Sequence, residues 1–197
     1  MANCILYSYN ARRAKANGKK LTFIEWLILW RSDPHVHSEF QFSQRYGGIS
    51  FSATLQDGCK CCRFKQIGYK HKIRWDDTII PMTDEEEDRA WQEACRMADI
   101  TPEMLETMRA YFKEEGCYYG DNAIPYDILG QPCHISKWNI WKPTKGKIWC
   151  SRAVNEVIIA GKGEEAVPKL VEQRAELMPT PLFNLAEGYF DTMGEIE

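Results

Sequence analysis

Two short segments alternate between apolar and polar residues, and this pattern constrains the fold more than any other feature of the chain. In HVHSEFQF, residues 35–42, one side is apolar and carries Val36, Phe40 and Phe42. The other side is polar and carries His37, Glu39 and Gln41. ISFSATL, residues 49–55, alternates in the same way after the glycine-containing segment SQRYGG. Because strand side chains point alternately to two faces, the two segments predict an antiparallel hairpin with one buried face.

The polar face of this hairpin is the first candidate for a functional site. A solvated face has no need of a histidine next to a carboxylate, whereas catalytic sites often use this pair. If Phe42 is opposite Ile49, Glu39 is opposite Ser52 and His37 is opposite Thr54. A slip of two residues keeps the faces but changes the partners. The group that orients His37 therefore stays open among Glu39, Ser52 and Thr54.

Helices are predicted before and after the strand segments in the chain. An apolar stripe at i, i+3, i+4 and i+7, preceded by Thr22 as N-cap, predicts an amphipathic helix through Phe23, Trp26, Leu27 and Trp30. Thr83 and Glu86 have the spacing of a capping box at the start of another helix. Together these patterns predict an α+β fold, with an antiparallel sheet of about four or more strands packed with helices.

Further helices are predicted towards the end of the chain. One begins near Cys150, has Val154, Val157 and Ile158 on its inner face, and ends at Gly161. Another is predicted over about 164–177, and the acidic tail that follows it is expected to be loosely held.

Length and composition bound the class of protein. The 197 residues, 44% of them hydrophobic, suffice for a single domain over 1–197. A net charge of -3 argues against a dedicated nucleic-acid-binding protein. The longest apolar run, near Trp26, is too short to span a membrane, and Glu25 interrupts it. The first residues lack the order of a signal peptide, so we expect a cytoplasmic protein.

The eight cysteines have three possible interpretations. Without a signal peptide, buried free thiols are expected in preference to a disulfide framework. Cys59, Cys61 and Cys62 could bind zinc with Cys133 and His134, but their spacing is not that of the usual zinc-binding pairs. We therefore expect neither a metal site nor a cofactor.

Cys150 has the best position for chemistry. A helix N-terminus offers unpaired N–H groups and a positive partial charge, and both stabilise a thiolate. A nucleophilic cysteine also needs a general base, and His37 is the candidate. The candidates for substrate binding are Trp149 and Ser151, which flank Cys150, and Tyr126, which begins the segment YDILG.

The ordered motifs resemble a known superfamily. A strand reading HxE, a glycine turn, FSAT, YDILG and WCSRAVNEV follow one another over about residues 33–160. This order is similar to the permuted branch of the NlpC-type papain-like superfamily, often called YiiX-like, which has bacterial, phage and poxvirus members. The resemblance is carried by His37, Tyr126, Asp127, Leu129, Gly130, Cys150 and Ser151.

The resemblance implies a circularly permuted papain-like core, with residues 1–32 and 161–197 as elaborations. It implies Cys150 as nucleophile and His37 as base in a cysteine hydrolase acting on a peptide, amide or acyl ester. The family takes its third polar residue from the next strand, often a glutamate. Here that strand, ISFSATL, contains no acid, so Ser52 and Glu39 are both candidates.

A second function class stays open beside the hydrolase. The chain could be a non-catalytic binding or structural phage accessory protein on the same fold, with a phage or host protein as partner. A phage-encoded protein would be located in the host cytoplasm.

Overall fold

The predicted hairpin forms the centre of a six-stranded antiparallel sheet. The computed structural model describes residues 2–63, 73–101, 104, 116–127, 144–174 and 177–190. The strand order is β5-β1-β2-β3-β4-β6. The bounds are β1 Ala2–Asn10, β2 His35–Gln41, β3 Ile49–Thr54, β4 Gly58–Arg63, β5 Trp75–Met82 and β6 Cys117–Tyr118. The expected α+β class with an antiparallel sheet is confirmed.

The central hairpin has the register expected from its sequence. Phe40 is paired with Phe51, and the N–H of Phe42 donates to the carbonyl of Ile49 at 2.8 Å. The ladder between β2 and β3 ends at Phe40, although β2 itself continues back to His35. The end of β2 that carries His37 is therefore not paired with β3 through the backbone.

Six helices and one short 3-10 turn are found among the described residues. The turn, Gln44–Tyr46, lies between β2 and β3. The helices are α1 Ala11–Ala16, α2 Phe23–Arg31, α3 Asp84–Ala98, α4 Cys150–Lys162, α5 Pro168–Glu172 and α6 Pro179–Phe190. No helix among these residues is long and apolar enough to cross a membrane.

The main core lies between one face of the sheet and helices α3, α4 and α6. Phe40 and Phe51 of the sheet and Val154 and Ile158 of α4 are fully buried in it. The predicted capping box of α3 is present: Thr83 accepts from the N–H of Glu86, and the Glu86 carboxylate accepts from the N–H of Thr83. The predicted inner face of α4 is also confirmed.

Helix α2 is present, but most of its predicted stripe faces solvent. The Thr22 cap is formed, and the helix ends at Arg31, before Pro34. Phe23, Trp26 and Trp30 are nevertheless exposed, because Ile28 on another side of the helix makes the buried contacts. The hydrophobic pattern thus identified the helix but not the side that is buried.

Three predictions for the end of the chain are wrong. Helix α4 continues through Gly161 and is capped at Gly163. Among the described residues of the segment predicted as one helix over 164–177, only the short α5 is helical, and the tail forms α6, whose Leu182 and Ala186 are fully buried. Burial of these apolar side chains holds the tail against the core up to Phe190.

The cysteines in the described part of the chain are divided between free thiols and one disulfide. Cys62 of β4 is bonded to Cys117 of β6, which corrects the expectation for this pair. The free cysteines in the described part of the chain are all buried, as expected: Cys4, Cys59, Cys61, Cys95 and Cys150. No group of three metal-binding side chains occurs among the described residues, and Cys133 and His134 lie outside them.

Candidate active site

Cys150 is the first residue of α4, the helix that packs across the sheet. Trp149 precedes it with extended backbone, and no side chain caps the helix. The first N–H groups of a helix have no partner within the helix, so this end can donate to an external acceptor. Cys150 itself has no exposed surface.

His37 of β2 meets Cys150 at the end of the hairpin where β2 and β3 are no longer paired. The imidazole and the thiol interact through a hydrogen bond and through their charges. The backbone N–H groups of Ser38 and Ser151 also donate hydrogen bonds to the sulfur. Because the β2–β3 ladder ends at Phe40, the backbone at Ser38 can contact the helix start. The site is therefore assembled from the end of one strand and the start of one helix.

Two side chains hold the far side of the His37 ring. Nε2 lies 3.2 Å from Oε1 of Glu39 and 3.1 Å from Oγ of Ser52. The Ser52 hydroxyl also donates to the carbonyl of Ser38 at 2.9 Å, so it bridges the gap where the ladder has ended. Of the three candidates for the group that orients His37, the structure thus brings Glu39 and Ser52 to the ring. The third, Thr54, contacts Asp57 instead, at 3.4 Å.

Proton affinities in the site are shifted in opposite directions. Burial alone would raise the pKa of the Cys150 thiol, but the charge and hydrogen bond of His37, with the two backbone N–H groups, lower it below the ordinary 9.0. Burial alone would lower the pKa of His37, but the charge and hydrogen bond of Cys150, and then Glu39, raise it above 6.5. Such shifts favour a thiolate–imidazolium pair.

Glu39 is a buried carboxylate with one satisfied oxygen. It has no exposed surface, and its Oε2 has no hydrogen-bond partner in the described part of the chain. Burial raises the pKa of Glu39, while the hydrogen bond and charge of His37 and the charge of Lys60 oppose this shift. A buried carboxylate is costly without a cationic neighbour, so Glu39 favours the protonated form of His37.

Cys150 differs chemically from the other free cysteines described. Burial raises the pKa of Cys59 and of Cys95 to about 12. Burial also raises the pKa of Cys4 and of Cys61 well above the ordinary value. Of these five thiols, Cys150 alone has a lowered pKa, because it alone lies beside a histidine and a helix N-terminus.

The exposed side of the site is aromatic. The His37 side chain is 23% exposed, and its ring packs edge-on against Trp75 at a centroid distance of 6.2 Å. Trp75 also contacts Tyr9 at 5.1 Å. Sequence reasoning missed both residues, because β1 and β5, on which they lie, were not predicted.

The other predicted site residues lie inside the protein. The Trp149 indole and the Ser151 hydroxyl both donate to the carbonyl of Leu177, at 3.0 and 2.7 Å. Tyr126 is half-buried and forms a single bridge with Ile148. Substrate binding by these three side chains stays a prediction, although the backbone N–H of Ser151 does reach the site. Leu129 and Gly130 lie outside the described residues.

The arrangement provides an activated thiol, a histidine and an acceptor pair behind the histidine. These are the groups that nucleophilic acyl transfer requires. The chain matches no family model, no curated protein and no solved structure.

Proposed function

We propose that the protein is a cysteine-dependent hydrolase acting on an amide, a peptide or an acyl ester, with Cys150 as nucleophile and His37 as general base. The observation that carries the proposal is the coupling of Cys150, at the start of α4, to His37, which is itself held by Glu39 and Ser52. Nucleophile, base and orienting group in contact form the pattern of a catalytic triad.

The hydrogen bonds around His37 support Nδ1 as the ring nitrogen that acts as the base. The Ser52 hydroxyl donates its proton to the Ser38 carbonyl, so its oxygen can only accept from Nε2. The Glu39 carboxylate is also an acceptor. Nε2 therefore carries a hydrogen, and Nδ1 is the nitrogen that takes the proton of the Cys150 thiol.

In the first step, the Cys150 thiolate attacks the carbonyl carbon of the substrate. A C–S bond forms, and the π electrons of the carbonyl move to its oxygen. Backbone N–H groups at the start of α4 that have no acceptor within the helix would donate to this oxyanion. Imidazolium His37 then gives its proton to the leaving amine or alcohol as the bond to the carbonyl carbon breaks.

In the second step, water releases the acyl group. His37, now neutral, takes a proton from the water as the water oxygen attacks the thioester carbon. The C–S bond breaks, the product leaves as a carboxylic acid, and the thiolate–imidazolium pair is restored. The same histidine serves as acid and then as base.

The order of elements agrees with the permuted papain-like core that the sequence resembles. The histidine strand, β2, precedes the nucleophile helix, α4, in the chain. We assign the role of the family's third polar residue to Glu39 and Ser52, because both side chains contact Nε2 of His37.

Alkylation by iodoacetamide, followed by peptide mass spectrometry, tests whether the nucleophile is activated. At neutral pH we expect Cys150 to label faster than Cys4, Cys59, Cys61 and Cys95. The variant Cys150→Ser should lose the fast phase, and the matched control Cys95→Ser should keep it. Labelling of Cys150 no faster than Cys95 would contradict the proposal.

Acyl transfer is tested with p-nitrophenyl acetate as a small activated ester. We expect a burst of p-nitrophenol and one acetyl group on Cys150, because the acyl-enzyme forms before water releases it. Cys150→Ser and His37→Ala should both abolish the burst.

The complete burial of Cys150 favours one alternative, a binding or structural protein that retains this fold. In that case neither iodoacetamide nor the ester would react at Cys150 in the folded protein. The two reagents are small enough to separate a closed but active site from an inert one.

A further inference from the structure

Helix α2 presents three aromatic side chains to solvent. Phe23, Trp26 and Trp30 are 73%, 56% and 67% exposed. They recur at i, i+3 and i+7, so they share one side of the helix. A cluster of large exposed apolar side chains usually marks a binding surface. We call this set the aromatic face.

Buried contacts on another side of α2 fix its orientation. Ile28 is 4% exposed and packs in a small core with Ala11, Val36 and Met178. Thr22 and Glu25 close a capping box at the start of the helix. Since Val36 is the neighbour of His37 in β2, the aromatic face lies at the same end of the sheet as the candidate active site.

The surroundings of the aromatic face are basic, although the whole chain is acidic. Residues 11–31 contain six cationic residues and a single carboxylate, Glu25: the cations are Arg12, Arg13, Lys15, Lys19, Lys20 and Arg31. Three of them form ion pairs, with Asp33, Asp76 and Glu25. Lys15 and Lys20 are exposed and pair with no carboxylate among the described residues.

An open groove joins the aromatic and basic parts of this surface. It has a volume of about 260 Å³ and is lined by Arg12, Trp26, Leu29, Trp30 and Asp33. The Arg12 side chain is 70% exposed. The groove therefore combines indole walls with the Arg12–Asp33 ion pair at its rim.

We propose that the aromatic face and its basic border bind the surface of an anionic membrane. Tryptophan and phenylalanine on a short helix insert at the level of lipid headgroups, and neighbouring lysines are attracted to anionic lipids. A protein groove or a second copy of this chain could also cover the aromatic face, but neither would require the excess of cations around it. Helix α2 would lie in the interface without spanning the membrane.

Co-sedimentation of the full chain with vesicles tests the proposal. We expect binding to phosphatidylcholine vesicles that contain phosphatidylglycerol, about tenfold or more above binding to phosphatidylcholine alone, and weakening as salt is added. The double variant Trp26→Ala/Trp30→Ala should lower the bound fraction about tenfold. Lys15→Glu/Lys20→Glu should lower binding to the anionic vesicles only.

The matched control is Leu55→Ala/Ile79→Ala, which removes two side chains of 50% and 51% exposure outside α2 and should bind as the wild type does. Circular dichroism checks that each variant is folded. Absence of vesicle binding, or binding that Trp26→Ala/Trp30→Ala leaves unchanged, overturns the proposal. So does a wild-type dimer in sedimentation velocity that the same double variant dissociates. Cys150→Ser should bind vesicles normally, so this test is independent of the proposed hydrolase.

Discussion

At the level of single residues, the chemistry of the site depends on what lies behind His37. Two acceptors, Glu39 and Ser52, contact the same ring nitrogen, Nε2. Only Glu39 carries a charge, and it is fully buried. The two side chains should therefore contribute differently: the carboxylate stabilises the imidazolium, and the hydroxyl mainly fixes the angle of the ring.

The variant Glu39→Gln separates charge from position. It keeps an acceptor at Nε2 but removes the anion, so the pKa of His37 should fall and the pKa of Cys150 should rise. We expect the rate of Cys150 alkylation at neutral pH to fall about tenfold. Ser52→Ala should lower the rate less and leave its pH midpoint in place. The matched control is Thr54→Val, which should change neither quantity because Thr54 contacts Asp57.

The pH dependence of alkylation tests the thiolate–imidazolium pair directly. The pKa of Cys150 is lowered, so the rate should rise with pH to a midpoint below 9.0, the ordinary value for a thiol. The pKa of His37 is raised, so ester hydrolysis should fall again only when pH exceeds 6.5 and His37 loses its proton. Cys95, whose pKa burial raises to about 12, should label only in strong alkali. A Cys150 midpoint at or above 9.0 would contradict the pairing.

At the level of elements, the position of α4 depends on a close approach to α3. A Cβ at Gly161 would lie 2.9 Å from Cε of Met82, 3.0 Å from Cβ of Ala90 and 3.0 Å from the carbonyl of Glu86. The end of the flexible Met82 side chain can move away, but the two contacts with α3 are tighter than nine in ten real Cβ contacts, so this helix pair favours glycine. At Gly188 in α6, no atom of the described residues outside the backbone of the helix itself lies within 4 Å of the same position.

These two glycines make a matched pair for a stability measurement. Gly161→Ala should lower the free energy of unfolding by about 1–3 kcal/mol, because the helices must separate. Gly188→Ala should raise it by up to about 1 kcal/mol, since alanine has the higher helix propensity. Urea unfolding followed by circular dichroism measures both. Equal effects of the two substitutions would show that the helix contact is not the cause.

Local sequence patterns predicted the elements that carry the site. The central hairpin and its polar face followed from alternation, which left the register open to a slip of two residues, and the start of α4 followed from its apolar spacing. Strands β1 and β5 were missed, because local alternation cannot show that residues 2–10 and 75–82 pair across the sheet. The exposed side of α2 was missed for a related reason: periodicity locates an apolar stripe, but tertiary contacts decide which side is buried.

At the level of the whole molecule, the site depends on contacts between distant parts of the chain. His37 and Cys150 meet only because α4 packs against both β2 and β3. No sequence spacing encodes this contact, so the pair could be proposed from the sequence only through the ordered motifs and residue chemistry. The sequence likewise could not show that β2 and β3 stop pairing on the His37 side of Phe40, where Glu39 and Ser52 contact the ring and Thr54 contacts Asp57.

The disulfide between Cys62 and Cys117 connects β6 to the sheet and closes a loop with a sequence separation of 55. A bond across a loop of this length restricts the unfolded chain strongly. Cys62 of β4 lies opposite Ser50 of β3, and the Ser50 hydroxyl donates to the Cys62 carbonyl at 3.2 Å. The disulfide is thus one strand away from β3, which supplies Ser52.

Removal of this bond should destabilise the protein without removing the nucleophile. We expect Cys62→Ala/Cys117→Ala to lower the free energy of unfolding by about 2–4 kcal/mol. Dithiothreitol should lower the stability of the wild type by a similar amount and leave the double variant unchanged, as measured by thermal unfolding. Because His37 and Cys150 lie on β2 and α4, the folded double variant should still label at Cys150. A loss of labelling at a temperature where the variant remains folded would mean that the β4–β6 connection also positions the site.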